Sequence, residues 1–230
     1  MKQLNVPKSY STKQELVYEV LRDEIIRCEL VPGERLILRE IADRFNISSI
    51  PIREALRLLD VEGWIEHKPH IGAVVSSISK ASIVETFTIK EGLESVATRV
   101  AAGRTTPDRL EKLQQIWNLM DDVLRQGRHE EWGDFNEQFH ETIAWFTDMQ
   151  LLIDMSRRIM QRWNRIRNFY FKEIFVPNMQ NSHMEHRAIM KALSARDEDK
   201  AERLAKEHNR HALNYYMDHL SIVESPDRSK

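Results

Sequence analysis

The chain has 230 residues, with 34 Lys and Arg against 36 Asp and Glu, and a single cysteine, Cys28. One cysteine excludes an internal disulfide framework, and no apolar run approaches the roughly 20 residues that cross a bilayer. We therefore predict a soluble, cytoplasmic chain with no membrane contact, long enough for two domains.

Helical patterns dominate the first third of the sequence. Thr12 and Glu15 have the spacing of a capping box and open the first predicted helix. Apolar residues then recur at helical spacing from Glu34 to Phe45, and this run predicts a second helix. A third helix is predicted from Ser48 to Glu62, after a turn of only two residues. This order predicts a helix-turn-helix.

The third helix is predicted to be amphipathic, with cations on its outer side. Its start is well specified, because Ser48 or Ser49 can cap it and Pro51 falls in the first turn. The inward stripe is apolar, and the opposite side carries Ser49, Arg53 and Arg57 at steps of four residues.

Two short strands are predicted after this helix. Residues 64–67 alternate like a strand, residues 73–75 form a second one, and a turn containing Pro69 and Gly72 joins them. Such a hairpin forms a wing. A helix fits the DNA major groove and a hairpin tip reaches the adjacent groove or phosphates, so DNA binding is one interpretation. The alternative is a small helical core without a ligand.

Residues 35–75 resemble the winged helix of the GntR family of bacterial transcription factors. The resemblance rests on three motifs in the right order and spacing, which are the segments 30–36, 51–56 and 62–65, the last leading to Gly72. It implies a regulator that binds a palindromic DNA operator as a homodimer and usually represses transcription. The implied DNA-binding residues are Arg39, Ser48, Ser49, Arg53, Arg57, His70 and Gly72.

The resemblance leaves the operator sequence open. In relatives the arginine that matches Arg53 often reads guanine, which agrees with bidentate pairing to O6 and N7. Ser49 stands where many members have a second basic residue, and Ile50 replaces a small polar one. Ile50 can contact a thymine methyl group, or it can pack against the wing or backbone.

A short polar segment, residues 76–80, is predicted to link two domains spanning residues 8–77 and 81–222. No strand is predicted beyond it. Six helices are expected at about 81–102, 107–126, 129–147, 149–175, 182–195 and 198–220, with Pro177 and Asn178 dividing the fourth from the fifth. The fold class is therefore mainly α, with a winged helix-turn-helix followed by an antiparallel all-α bundle.

The predicted bundle resembles the ligand-binding FCD domain of the FadR branch of the GntR family. The matching residues are Glu94, Ala101, Ala102, Phe139, His140, residues 185–189 and His208. The resemblance implies a divalent transition metal (Zn²⁺, Ni²⁺ or Mn²⁺) bound by Asn136, His140, His186 and His208. Three imidazoles and one oxygen suit such an ion, although metal-binding relatives usually have aspartate at the position of Asn136.

A small carboxylate metabolite is the effector that the resemblance implies. Relatives often place an arginine in the first bundle helix, where this chain has Lys90, which is expected to bind the effector. His183 and His211 either lie behind the metal ligands or are exposed, and we expect them to be exposed. The arginines from Arg157 to Arg167 are expected to form the polar side of a long helix, although one of them can face the pocket.

An enzyme is the main alternative, because a metal with open coordination positions can support catalysis. The sequence has no nucleophile motif, no glycine-rich phosphate loop and no metalloprotease helix with two histidines flanking a glutamate. We therefore predict no enzyme activity. A metal-dependent enzyme fused to a DNA-binding head and a bundle without a metal remain the competing interpretations.

Overall fold

A computed structural model describes residues 12–223 of the chain. The chain divides between Ile78 and Ser79 into two compact units, each described here by itself. The start predicted for the first domain, residue 8, lies outside the described residues. Within the described residues, no helix has the length and apolar character required to cross a membrane.

The N-terminal unit is a winged helix-turn-helix, as predicted. Its helices are α1 (Lys13–Ile26), α2 (Leu38–Phe45) and α3 (Ser49–Val61), and its strands are β1 (Ile65–Lys68) and β2 (Gly72–Val75). Thr12 caps α1 by accepting a hydrogen bond from the Glu15 backbone N–H at 3.1 Å. The strands are antiparallel, with Ile65 opposite Val75 and Lys68 opposite Gly72.

The prediction that the second helix begins at Glu34 is wrong. Residues 34–37 are extended and run beside β2, because the Leu36 N–H donates to the Ala73 carbonyl at 2.9 Å and the Val75 N–H donates to the Glu34 carbonyl at 2.8 Å. These long-range hydrogen bonds satisfy the backbone without a helix. The helix starts at Leu38 instead.

The C-terminal unit contains the six predicted helices. They are α4 (Lys80–Gly103), α5 (Pro107–Arg125), α6 (His129–Trp145), α7 (Gln150–Phe169), α8 (Val176–Ser194) and α9 (Glu198–Val223). The helix starts follow from their caps. Ser79 and Ser82 form a reciprocal capping box before α4, and the Thr106 side chain caps α5, whose first residue is Pro107.

The boundary between α7 and α8 differs from the prediction. Pro177 does not divide two helices, because it lies in the first turn of α8, where its missing N–H has no helical partner. The interruption comes earlier, at a π-helical turn from Phe171 to Phe175. This turn directs Ile174 and Phe175 into the bundle, where both side chains are buried.

The bundle is organised around α4. This helix packs mainly against α9 and α7, while α6 lies beside α5, and α8 lies beside α9. The aromatic side chains Phe87, Trp132, Phe139 and Tyr216 are almost fully buried between these helices. The interior also contains buried polar side chains, among them His140, His186 and His208.

Candidate DNA-binding surface and metal centre

The outer side of α3 presents cations to solvent. The inner side buries Ile52, Ala55, Leu56 and Leu59, which fixes the rotation of the helix about its axis. Arg53 and Arg57 therefore lie on the outer side, and both are exposed. In the part of the chain that the structure describes, neither guanidinium has an ion-pair partner. Both are available to phosphates or to guanine edges.

The start of α3 and the outer side of α2 are also exposed. Ser48 is the N-cap residue of α3 but its side chain makes no capping hydrogen bond, and both Ser48 and Ser49 are exposed. The Arg39 side chain is 91% exposed, and its closest acidic partner, Asp43, lies 4.0 Å away. Such an exposed pair contributes little to stability, so Arg39 can exchange Asp43 for a phosphate.

The tip of the wing has a tight left-handed backbone. His70 has φ +64° and Gly72 has φ +95°, a conformation that glycine adopts without strain. Both residues are exposed. All seven predicted DNA-binding residues are thus on the surface of their unit.

The second site lies inside the bundle, where three histidines from three helices converge. His140 of α6, His186 of α8 and His208 of α9 each have a ring nitrogen within 4.8 Å of the others. All three side chains are buried. Their ring centroids are 4.8 to 5.4 Å apart. The predicted histidine set is therefore brought together.

Asn136 also belongs to this group. It lies one helical turn before His140 on α6 and is buried. Asn136, His140, His208 and Lys90 line one cavity of about 20 Å³. That volume admits little more than a water molecule or an ion.

A carboxylate orients the ring of His208, since Glu185 accepts a hydrogen bond from Nδ1 of His208 at 2.7 Å. Glu94 Oε1 lies 3.2 Å from Nδ1 of His140 but makes no hydrogen bond among the described residues. A carboxylate at Nδ1 favours the tautomer whose Nε2 carries the lone pair, which is the usual arrangement behind histidine ligands. The buried Nε2 of His140 has no hydrogen-bond partner among the described residues.

His186 provides the clearest indication of a missing partner. Its side chain is fully buried, and within the described residues neither ring nitrogen has a hydrogen-bond partner. An unsatisfied buried polar group costs about 1–3 kcal/mol, and a metal ion bound at one nitrogen of this ring would remove the cost at that nitrogen. Burial, together with the nearby His208 and His140, holds the pKa of His186 well below its ordinary value. Its ring is neutral, as metal coordination requires, so these residues fit a divalent transition metal.

The Lys90 side chain lines the same small cavity, and its positive charge is already paired with Glu94. The side chain is only 3% exposed, and Nζ donates to Glu94 Oε2 at 2.8 Å and to Asn209 Oδ1 at 2.9 Å. An ammonium group has three donors, so one remains for a ligand. The expected role of Lys90 in binding the effector stays a prediction, and its side chain lines the same small cavity as Asn136, His140 and His208.

A second, larger cavity reaches the same histidine from another direction. It has a volume of about 580 Å³ and is lined by parts of α4, α5, α6 and α7, including Glu94 and His140. Ile143, Trp145 and Met160 provide apolar walls, and Arg157 is a cation on its lining. Its volume falls in the range of pockets for small metabolites.

Two family models match the chain, and together they cover most of it. The model of the FCD domain matches residues 85–211, and that of the bacterial regulatory proteins of the gntR family matches residues 13–75. The chain belongs to the GntR family and carries an FCD domain. It is a DNA-binding transcriptional regulator.

Individual relatives of this GntR regulator extend over both units. The chain is 29% identical over 192 residues to the HTH-type transcriptional repressor RspR of Escherichia coli, covering 84% of this chain and 83% of that protein. It is 24% identical over 197 residues to the repressor GlaR of the same organism, covering 83% and 90%. The structure of E. coli McbR/YncC has a TM-score of 0.74 at 22% identity over 91% of this chain and 99% of that one, which supports the fold. The family and these relatives are regulators, so the enzyme alternative is set aside.

Two expectations for the FCD domain are wrong. His183 is buried rather than exposed, because its ring stacks on Trp117 with centroids 4.6 Å apart and its Nε2 lies 3.2 Å from Asp121. Arg165 and Arg167 are buried rather than on the polar side of α7. Sequence periodicity did not reveal the burial of Arg167, because Gly133 and Asp134, which lie beside its guanidinium, come from α6.

Proposed function

We propose that this GntR regulator is a cytoplasmic repressor of the FadR branch, which binds a near-palindromic operator as a homodimer and responds to a small carboxylate. The observation that supports the sensing part is the unsatisfied His186 ring between His140 and His208. The DNA-binding part rests on the exposed outer side of α3.

In this proposal α3 enters the major groove. Arg53 pairs with a guanine, and Arg57 and Arg39 contact phosphates or base edges. Ser48 and Ser49 hydrogen-bond near the start of the helix, while His70 and Gly72 bring the wing to the adjacent groove or backbone. Two copies related by a twofold axis then read the two halves of a palindrome, so the unit itself does not need excess positive charge.

Binding to operator DNA tests this arrangement. Operator fragments are first selected from random duplexes with the full chain, and binding is then measured by mobility shift. Arg53→Ala should abolish specific binding and leave the circular dichroism spectrum unchanged. Arg27→Ala, an exposed arginine at the C-cap of α1, is the matched control and should bind normally. Unchanged binding by Arg53→Ala would reject the role of α3.

In the bundle, His140, His186, His208 and Asn136 hold the divalent metal, and Lys90 lies beside it. Bound there, the metal supplies a Lewis-acidic centre to which a carboxylate can attach. Glu185 keeps the ring of His208 oriented. The neutral amide of Asn136 adds no charge, so affinity is expected to be lower than with an aspartate.

Elemental analysis tests the metal centre. Full-length protein purified without a histidine tag should contain close to one transition metal ion per chain, and His140→Ala should contain far less. His129→Ala, at the first position of α6, is the control and should retain the ion. Equal metal content in wild type and His140→Ala would remove the proposed site.

Sensing and dimerisation are tested in solution. Sedimentation of the metal-loaded chain should give a dimer. Acetate and citrate serve as probes, and at least one should alter operator affinity by tenfold or more, because about 1.4 kcal/mol of coupling has this effect. Lys90→Met, assayed at a temperature where its circular dichroism spectrum matches that of the wild type, should weaken that response. A monomer, or no response across further small carboxylates, would contradict the proposal.

A further inference from the structure

The first turn of α3 carries an apolar side chain that is mostly exposed. Ile50 is the second residue of the helix and is 72% exposed. At about 100° per residue, it lies on the side opposite the buried stripe of Ile52, Ala55 and Leu59. Most of the Ile50 side chain is therefore left uncovered by its own unit, which favours contact with a thymine methyl group over packing against the wing or the backbone.

The neighbours of Ile50 identify the surface that it shares. Arg53 and Arg57 are three and seven residues further on, so all three lie on one side of α3. The cations are complementary to DNA, whereas a branched hydrocarbon can neither accept nor donate a hydrogen bond. In the major groove, the base feature that matches a hydrocarbon is the C5-methyl group of thymine.

We propose that Ile50 reads a thymine methyl group in each half of the operator. The proposal rests on the proposed entry of α3 into the major groove, with Arg53 reading a nearby guanine. Because Ile50 precedes Arg53 by one helical turn, the thymine lies within a few base pairs of that guanine. The operator thus has a thymine requirement that a polar residue at position 50 would not impose.

Replacing thymine by deoxyuridine tests this directly, since the change removes only the methyl group. Each thymine of the selected operator is replaced in turn, and affinity is measured by mobility shift. One thymine per half-site should be sensitive in the wild type. The loss is expected to be about fourfold for one methyl group, and about 15-fold when both half-sites are changed.

Variants of the chain complete the test. Ile50→Ala should bind the thymine and deoxyuridine operators equally well, and Ile50→Val, which keeps the branched carbon, should retain part of the discrimination. Val61→Ala is the matched control, because Val61 is an exposed aliphatic residue at the far end of α3, and it should discriminate like the wild type. Deoxyuridine tolerated at every position, or an undiminished penalty in Ile50→Ala, would overturn the proposal.

A substitution of guanine in the operator distinguishes failure of the Ile50 proposal from failure of the proposed DNA-binding mode. Replacing guanine by 7-deazaguanine removes the N7 acceptor that Arg53 would use. If 7-deazaguanine at one guanine of each half-site weakens binding by the wild type, Arg53 contacts that guanine from the major groove. The deoxyuridine result then tests the role of Ile50 alone.

Discussion

The Glu185 carboxylate of α8 lies 2.7 Å from Nδ1 of His208 in α9, and its other oxygen lies 2.7 Å from Nδ1 of His211. Burial raises the pKa of Glu185, but the hydrogen bonds from the two histidines outweigh it and hold the pKa below its ordinary value. Glu185 is therefore an anion that fixes the orientation of a proposed metal ligand.

This relationship predicts that Glu185→Gln weakens metal binding although Glu185 is not a ligand. Loss of an oriented carboxylate behind a histidine costs about 10- to 100-fold in metal affinity. Competition with a chromophoric chelator measures the effect. The control is Glu207→Gln, whose carboxylate pairs with exposed Arg203 on the same helix. Equal affinities for Glu185→Gln and wild type would show that the ring of His208 needs no such support.

The His186→Phe substitution should change the melting temperature in different ways with metal and with chelator. With metal present, His186→Phe should melt below the wild type, because the wild type gains stability from a bound ligand. With a strong chelator, the order should reverse or the difference should vanish, because phenylalanine removes two unsatisfied nitrogens from the buried site. Thermal melts of both proteins in both conditions provide the comparison. If chelator leaves the wild-type melting temperature unchanged, no ion was stabilising the fold.

The elements predicted from sequence are those with local causes. Helical periodicity and caps such as Thr106 predicted the bundle helices, and the turn around Pro69 predicted the wing. The helical pattern of residues 34–37 misled, because their hydrogen bonds go to β2, some 40 residues away. Pro177 misled in a different way, since a proline is equally compatible with the first turn of a helix and with its end.

The same distinction applies to the proposed metal centre, whose local features could be predicted from the sequence and whose long-range contacts could not. The residue types and the spacing of Asn136 and His140 on one helix were visible in the sequence, and the family resemblance supplied the other two helices. The carboxylates Glu94 and Glu185 were not predicted as partners of the histidines, because each comes from a helix that is distant in sequence from at least one of its contacts. Burial of Arg167 likewise depends on the neighbouring helix α6.

The buried Lys90 and Glu94 pair predicts a large and non-additive effect on stability. Lys90→Met leaves the Glu94 carboxylate buried with Asn209 as its remaining donor, and losing one partner of a buried pair costs about 3–5 kcal/mol. Lys90→Met with Glu94→Met should recover part of that loss. Urea denaturation followed by circular dichroism gives the free energies of unfolding for the metal-loaded chain.

The matched control for that pair is Lys206 with Glu202, which has the same i,i+4 spacing on α9 but is partly exposed. Lys206→Met should change stability by no more than about 0.5 kcal/mol. If Lys90→Met proves as mild as Lys206→Met, water must reach the Glu94 carboxylate.

Replacing either of two helical glycines, Gly133 and Gly92, by alanine should change the free energy of unfolding in opposite directions. A Cβ at Gly133 of α6 would lie 2.7 Å from Nη1 and 3.1 Å from Cζ of Arg167, whose buried side chain fills that space. Gly133→Ala must displace the guanidinium from beside Asp134, so we expect a loss of about 1–3 kcal/mol. A Cβ at Gly92 of α4 meets nothing within 4 Å. Gly92→Ala should therefore stabilise the chain by about 0.5–1 kcal/mol through its helix propensity.

Chemical denaturation of the two alanine variants measures the difference between these sites. Because both changes add the same single methyl group within a helix, propensity cancels and the difference reports the contact with Arg167. A Gly133→Ala variant as stable as Gly92→Ala would mean that Arg167 can leave its buried position at little cost. Arg167→Ala combined with Gly133→Ala provides the cross-check, since the penalty at Gly133 should disappear once the guanidinium is gone.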